Sequence, residues 1–244
     1  MGTSKKLVHG IFWDYDGTLA DTRIKNLNVT RKLVKDLSGK NYQDIPALST
    51  IENYTEAIRS SRDWFELYKK HFGFNSELID EAGKYWTEYQ QNDTTLIDLF
   101  PGMSFVIQSF NHLPQAVVSM NAKDTITDNL ERNGVLPYFK MIVGYEEVDI
   151  KRQKPKPDGL LYCIDQLSIP DSGVLIYIGD HETDMQCAYN ANVKLEKSGR
   201  NLKVVSIAAL YSDGQAPNGW QFQPDYTAYH VKDIAGIVNN FQVR

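Results

Sequence analysis

The chain has 244 residues, of which 42% are apolar and 23% charged, and its formal net charge is −5. This composition is typical of a globular protein large enough for one large domain, or for one domain with a smaller insertion. The acidic balance, without a basic run, argues against binding to nucleic acid or to an anionic membrane, so we expect a local site or a metal to hold any anionic substrate.

Features that report on the compartment are few. Cys163 and Cys187 are too few for a disulfide framework, and we expect them to be buried thiols in a reducing compartment. No apolar run approaches the length of a membrane span, and the apolar stretch behind Lys5 and Lys6 is too short for a signal peptide. We therefore expect a cytoplasmic protein.

The first predicted element is a short buried strand at residues 7–13, LVHGIFW. Beyond it, residues 22–95 show the apolar spacing of helices and no convincing strand. Four helices are predicted in this region, at 24–38, 46–60, 63–72 and 76–90. Aromatic side chains recur at helical spacing here, and we expect most of them to form the core of the helical region: Trp64, Tyr68, Tyr85, Trp86 and Tyr89.

After Pro101 the pattern alternates between helices and strands. Helices are predicted at 102–113, 124–133, 157–167, 182–191 and 232–241, and strands at 116–120, 141–144, 174–179 and 204–209. Such alternation predicts a parallel sheet with helices on both faces, and the first strand must belong to it. We therefore predict an α/β fold with a Rossmann-like core of residues 1–21 and 97–244, interrupted by an all-helical domain at residues 22–96.

Carboxylates follow two of the predicted strands at their carboxyl ends, where open parallel sheets bind ligands. Asp14 and Asp16 come after the first strand, and Asp180 and Asp184 come after the strand at 174–179. If the first strand continues through them, Asp14 and Asp16 point the same way, because residues i and i+2 share a face. A divalent cation offsets the repulsion between neighbouring carboxylates, and hard oxygen ligands suit Mg²⁺.

Groups suited to an anion are predicted at the same edge of the sheet. The strand at 116–120 leads into Ser119, Met120 and Asn121, whose hydroxyl and amides can hold phosphate oxygens. Lys154, in the segment KPKPD before a helix, adds a compact positive charge. Each pattern alone has an ordinary structural interpretation as a turn, a helix cap or a solvated loop. Their joint order on alternating strand ends favours a site.

These segments resemble the four motifs of the haloacid dehalogenase-like hydrolases, in particular the phosphatase branch with a helical cap, such as phosphoglycolate phosphatases. DYDGTLAD is similar to the first motif, DxDGT(L/V)xD, and VVSMN is similar to the second, a Ser or Thr that ends a strand. KPKP is similar to the third motif, K-P-x-P, and GDHETD to the fourth, GDxxxD. The resemblance runs from residue 8 to residue 210 and implies that the helical insertion is the cap of this family.

The resemblance implies a Mg²⁺-dependent phosphatase that hydrolyses a small phosphorylated metabolite through an aspartyl-phosphate intermediate. It implies that Asp14 is the nucleophile and that Asp16 is the general acid and base, with its backbone carbonyl on the metal. Asp180 is then the other protein ligand, and Asp184 is a ligand or an orienting residue. The metal set implied is thus drawn from Asp14, Asp16, Asp180 and Asp184.

The remaining implied contacts are to the transferring phosphoryl group, which Ser119, the Met120 amide, Asn121 and Lys154 would hold, with Lys156 in reserve for Lys154. A second function, sugar phosphomutase, uses the same core, and a third is a binding protein on an inactive fold. The presence of Asp16 favours phosphoryl transfer over dehalogenation, which needs no acid for a halide. Neither the substrate nor the oligomeric state can be named from the sequence.

Overall fold

The structure, a computed structural model, describes residues 7–212 and 218–241. The chain divides into two compact units. One combines Met1–Asp21 with Asp98–Arg244, and the other is Thr22–Ile97. We call the first the α/β unit and the second the helical unit.

The α/β unit is built on a parallel sheet, as predicted. Within the described residues the sheet has six strands in the order β3-β2-β1-β4-β5-β6. Their bounds are β1 (Val8–Trp13), β2 (Gln115–Val118), β3 (Phe139–Val143), β4 (Ser172–Gly179), β5 (Asn201–Ala209) and β6 (Tyr226–Ala228). The strand order reverses direction between β1 and β4, which places the topological switch point at their carboxyl ends.

Five helices of the α/β unit follow the predicted alternation, and their bounds are α5 (Met103–Ser109), α6 (Lys123–Arg132), α7 (Asp158–Gln166), α8 (Glu182–Lys197) and α9 (Val231–Val238). α8 extends six residues beyond the predicted end at 191, because Leu195 continues its buried face. The core between α7, α8 and the sheet is apolar and includes Phe12, Leu160 and Tyr177.

The helical unit contains α1 (Arg23–Ser38), α2 (Ile51–Arg59), α3 (Trp64–His71) and α4 (Ser76–Asn92). Three of these confirm the predicted helices to within two residues at each end. The predicted helix at 46–60 is wrong in its first part, because Pro46–Leu48 forms a separate 3₁₀ turn. α2 begins at Ile51 because the Thr50 hydroxyl accepts the Asn53 N–H at 3.2 Å and caps the helix there.

The core of the helical unit is aromatic, as predicted. The Tyr68 ring meets Phe72 and Phe74 edge to face, with ring centroids 4.9 and 5.5 Å away. Trp64, Trp86 and Tyr89 are partly buried against the same core, whereas Tyr85 is 44% exposed and lies outside it.

Two further sequence features can be placed. Cys163 and Cys187 are buried free thiols on α7 and α8, and burial raises the pKa of Cys163 to about 12. Among the described helices, none combines the length and the apolar character that a membrane span needs.

Candidate active site

The loop after β1 carries the first two predicted acids. β1 ends at Trp13, so Asp14 and Asp16 lie beyond it, and the condition under which they would share one strand face is not met. The Asp14 N–H still donates to the Ile178 carbonyl of β4 at 2.8 Å, but the chain then turns so that the Tyr15 carbonyl accepts N–H groups from the next residues. The two carboxylates therefore contact different partners.

Asp14 belongs to a buried charge cluster. Lys154 Nζ donates to Asp14 Oδ1 at 2.6 Å and to Asp184 Oδ1 at 2.7 Å, and the three side chains are only 7%, 5% and 1% exposed, taking Asp14, Lys154 and Asp184 in turn. The Tyr177 hydroxyl also donates to Asp184 Oδ1 at 3.0 Å, and the His181 N–H donates to Asp184 Oδ2 at 3.1 Å. Lys154, in the loop before α7, thus joins Asp14, just beyond β1, to Asp184 on α8.

The charges of this cluster are unequal, since more acids than bases meet there. Burial raises the pKa of Asp14, Lys154 lowers it, and the carboxylates of Asp184 and Asp16 raise it again, for a net value of about 7. Burial and then the charge of Asp14 raise the pKa of Asp180 well above its usual range. Burial alone would lower the pKa of Lys154, but the two carboxylates raise it above its ordinary value. A divalent cation among the acids would stabilise their ionised forms.

Two glycines let the loops approach each other closely. Gly17 has φ +72°, and a Cβ built on it would lie 1.9 Å from Asp180 Oδ2. A Cβ on Gly179 would lie 2.2 Å from Asp184 Cγ. Both positions therefore need glycine, which explains why each predicted acidic motif contains one.

Three of the predicted acids form a group that fits a metal. Asp14, Asp180 and Asp184 each offer an oxygen, and these atoms lie within 4.8 Å of one another. Carboxylate oxygens are the donors that Mg²⁺ prefers, so the donor set fits this ion. Asp184 already accepts Lys154 and Tyr177 on one oxygen and a backbone N–H on the other. Asp14 and Asp180 are therefore the side chains with more capacity to bind a cation.

The predicted phosphate-binding segment begins just beyond β2. The Ser119 N–H donates to the Val143 carbonyl at 3.0 Å, and the Ser119 hydroxyl accepts the Asn121 N–H at 3.1 Å. The Asn121 side-chain amide donates to both carboxylate oxygens of Asp16, at 3.2 and 3.1 Å. The Met120 side chain is 42% exposed. Asn121 thus joins the segment after β2 to the loop after β1.

The loop that carries Lys154 is fixed by neutral hydrogen bonds. The Gln153 side-chain amide donates to two backbone carbonyls of the preceding segment at 3.1 Å, and Asn190 of α8 donates to the Pro155 carbonyl at 2.9 Å. The side chain of Lys154 points into the acidic cluster, whereas Lys156 is exposed. The structure thus places Lys154, and not Lys156, against the acids.

Sequence reasoning missed three features of the site. His181 is partly buried, and its Nδ1 accepts the Thr183 N–H at 3.3 Å at the start of α8. Tyr177 is a buried donor within an otherwise apolar strand. Tyr211 donates its hydroxyl to the Thr18 carbonyl in the loop after β1. In the sequence, the three residues share one feature: each is an aromatic side chain with a polar group, in or just after a buried strand.

Comparisons with known proteins cover most of the chain. A sequence model of the haloacid dehalogenase-like hydrolase family matches residues 11–196. Pyrophosphatase PpaX of Bacillus velezensis is 23% identical over 242 residues, which cover 95% of this chain and 97% of that protein. N-acylneuraminate-9-phosphatase of Mus musculus is 26% identical over 222 residues, which cover 82% of this chain and 86% of that protein.

Solved structures share the fold. A protein from Clostridium acetobutylicum described as a predicted phosphatase superposes with a TM-score of 0.74 at 19% identity, covering 96% of this chain and 100% of that one. A predicted phosphoglycolate phosphatase from Haemophilus somnus gives a TM-score of 0.68 at 16% identity, covering 94% and 97%. At these identities the likeness is one of architecture.

Proposed function

Because the chain belongs to the haloacid dehalogenase-like hydrolases, in their phosphatase branch, we propose that it is a Mg²⁺-dependent phosphatase for a small phosphorylated metabolite. The observation that carries the proposal is the buried cluster in which Asp14, Asp180 and Lys154 meet at the switch point of the sheet. A buried group that holds more acids than bases is costly for stability, which favours a catalytic role for it.

Asp14 is the proposed nucleophile. Lys154 holds its Oδ1, which leaves Oδ2 to form a bond to phosphorus. The bond from phosphorus to the leaving oxygen breaks as the aspartyl-phosphate forms, and the leaving oxygen takes a proton. In the second step a water attacks the phosphorus, the bond to Asp14 breaks, and inorganic phosphate leaves.

Asp16 is the proposed proton carrier in both steps. It gives its proton to the leaving oxygen in the first step, and it takes a proton from the attacking water in the second. The two hydrogen bonds from the Asn121 amide fix the orientation of its carboxyl group. This contact is why we assign Asn121 to positioning Asp16 in addition to its predicted role at the phosphate.

The metal and the anion contacts complete the proposal. Mg²⁺, held by Asp14, Asp180 and the Asp16 carbonyl, would supply positive charge next to the phosphoryl oxygens. Lys154 neutralises charge from the protein side, and Asp184 holds Lys154 in place through its Oδ1. The Ser119 hydroxyl and the Met120 N–H are the proposed donors to the phosphoryl oxygens.

The two units take different roles in this proposal. We assign residues 1–21 and 97–244 to the catalytic core and residues 22–96 to the cap. Substrate choice is assigned to the cap, since the core residues recognise only the phosphoryl group. Among the relatives are a pyrophosphatase and an N-acylneuraminate-9-phosphatase, so pyrophosphate and that sugar phosphate are the first substrates to test.

The test compares hydrolysis of p-nitrophenyl phosphate by the wild type and by Asp14→Asn, with Mg²⁺ and with a chelator. We expect activity only in the wild type with Mg²⁺, with a loss of at least about a thousandfold in the variant. Asp128→Asn, which removes an exposed carboxylate on α6, is the matched control and should keep the wild-type rate. A fully active Asp14→Asn variant, or full activity in chelator, would contradict the proposal.

A further inference from the structure

Tyr211 makes two contacts that hold it between β5 and the loop after β1. It lies two residues beyond the end of β5 and is partly buried. Its ring packs edge to face on Phe100, with centroids 5.0 Å apart and an interplanar angle of 73°. Its hydroxyl donates to the backbone carbonyl of Thr18. The contact with Phe100 fixes the position of the phenol ring, and the hydroxyl at that position binds the Thr18 carbonyl.

The Thr18 carbonyl lies one residue beyond the point at which the loop after β1 comes close to Asp180. Thr18 follows Gly17, where a Cβ would lie only 1.9 Å from Asp180 Oδ2. A small shift of the Gly17–Thr18 backbone therefore changes the separation between the loop of Asp14 and the carboxylate of Asp180. The position of this backbone affects any cation that binds both acids.

Tyr211 keeps its proton in this environment. Burial raises the pKa of its hydroxyl well above the usual range, and the negative charges of Asp180 and Asp14 raise it further. The phenol therefore remains a hydrogen-bond donor through the neutral pH range.

We propose that Tyr211 is a positioning residue that fixes the loop after β1 against Asp180 through the Thr18 carbonyl. The inference rests on the proposed metal-dependent function, because its consequence is the geometry of Asp14 relative to Asp180. Tyr211 acts through the backbone and touches neither the nucleophile nor the phosphoryl group in this scheme. Removal of its hydroxyl group weakens cation binding, while the ring contact with Phe100 remains.

The test is Tyr211→Phe, which keeps the ring and removes only the hydroxyl. Mn²⁺ is the probe, since it takes the same oxygen ligands, and its binding to the folded protein is measured by electron paramagnetic resonance without substrate. We expect the dissociation constant to rise about fivefold, the effect of one ordinary hydrogen bond. Tyr229→Phe, at an exposed tyrosine after β6, is the control and should bind Mn²⁺ as the wild type does.

The possible outcomes separate this inference from the proposed function. A wild type that does not bind Mn²⁺ overturns the metal part of the proposed function, and this inference with it. A wild type that binds Mn²⁺ together with an equally tight Tyr211→Phe overturns the positioning role alone. A lower unfolding temperature with unchanged Mn²⁺ affinity would mean that the hydroxyl is only structural, which also overturns it.

A second variant decides the question if Tyr211→Phe does not fold. Phe100→Leu keeps the hydroxyl of Tyr211 but loosens the support of its ring. We expect a smaller weakening of Mn²⁺ binding in the same direction. Unchanged Mn²⁺ binding in this variant would count against positioning through Thr18.

Discussion

The two units bury clusters of opposite character. In the α/β unit the cluster is charged, with Asp14, Lys154 and Asp184 all less than a tenth exposed. In the helical unit the cluster is apolar and aromatic, as at Leu33 and Tyr68. Apolar burial stabilises a fold directly, by roughly 25 cal/mol per Å² removed from water. Buried charges contribute little or nothing to stability, so the charged cluster is better explained by chemistry than by folding.

The largest effect is expected where the single described base of the charged cluster is removed. Lys154→Met keeps the length of the side chain but leaves Asp14 and Asp184 facing each other. We expect phosphatase activity to be lost and the free energy of unfolding to fall by about 3–5 kcal/mol at neutral pH. Urea unfolding in chelator measures the second effect, with the exposed Lys156→Met as control.

The loss of unfolding free energy in Lys154→Met should depend on pH, because the carboxylates near Lys154 titrate. Without Lys154, which lowers it, the pKa of Asp14 rises further in the folded state. Acids with raised folded pKa values bind more protons when folded, so stability falls as the pH rises. The deficit of Lys154→Met should therefore shrink at acid pH, and a deficit that grows there would contradict the charge explanation.

An apolar truncation in the helical unit should show the opposite pattern. Leu33→Ala removes a fully buried side chain from the core of that unit. We expect a loss of about 2–5 kcal/mol in unfolding free energy and unchanged Mn²⁺ binding by the folded protein. Leu96→Ala, at a side chain that is 73% exposed, should change neither quantity. Weaker Mn²⁺ binding in folded Leu33→Ala would break the contrast between the two clusters.

The smallest predicted effect is a gain in stability, in contrast to the losses expected for Lys154→Met and Leu33→Ala. The pKa of Asp180 is raised in the folded protein by burial and by neighbouring acids, so its ionised form destabilises the fold above the ordinary range of an aspartate, about 4. In chelator at neutral pH, Asp180→Asn should raise the unfolding temperature by about 2–4 °C, the shift that ~1 kcal/mol gives in a chain of this size.

With Mg²⁺ present, the wild type should have a higher unfolding temperature than Asp180→Asn. The ion stabilises the wild type by binding only its folded form, and Asp180→Asn should lose that increase. Differential scanning fluorimetry with and without Mg²⁺ measures both quantities. A variant that is less stable than the wild type in chelator would show that Asp180 supports the fold.

Periodic patterns in the sequence predicted most of the fold, because burial imposes them. The alternation of apolar strands with amphipathic helices predicted the parallel sheet. β6 was not predicted, since its three residues are too few to show a pattern. The split at Pro46–Leu48 was missed because a helix and a short 3₁₀ turn share the same apolar spacing.

The site could be predicted only as a set of residue types at strand ends. Which partner each side chain contacts depends on turns that no short sequence pattern specifies. Asn121 was predicted to bind phosphate, yet its amide holds Asp16, a contact that exists only because the segment after β2 folds over the loop after β1. Tyr211 acts on Thr18 from 193 residues away in sequence, and only the folded sheet brings them together.

The most direct test of the central claim, that Asp14 is the nucleophile, is to trap its phosphorylated form. Asp16→Asn is incubated with p-nitrophenyl phosphate and Mg²⁺, because p-nitrophenolate leaves without an acid while the attack of water loses its base, which is worth roughly 10²–10⁴ in rate. Borohydride reduces the trapped acyl phosphate, and peptide mass spectrometry locates the change. We expect homoserine at position 14 only when the ester and Mg²⁺ are both present. Release of nitrophenol with an unmodified Asp14, or reduction at another carboxylate, would contradict it.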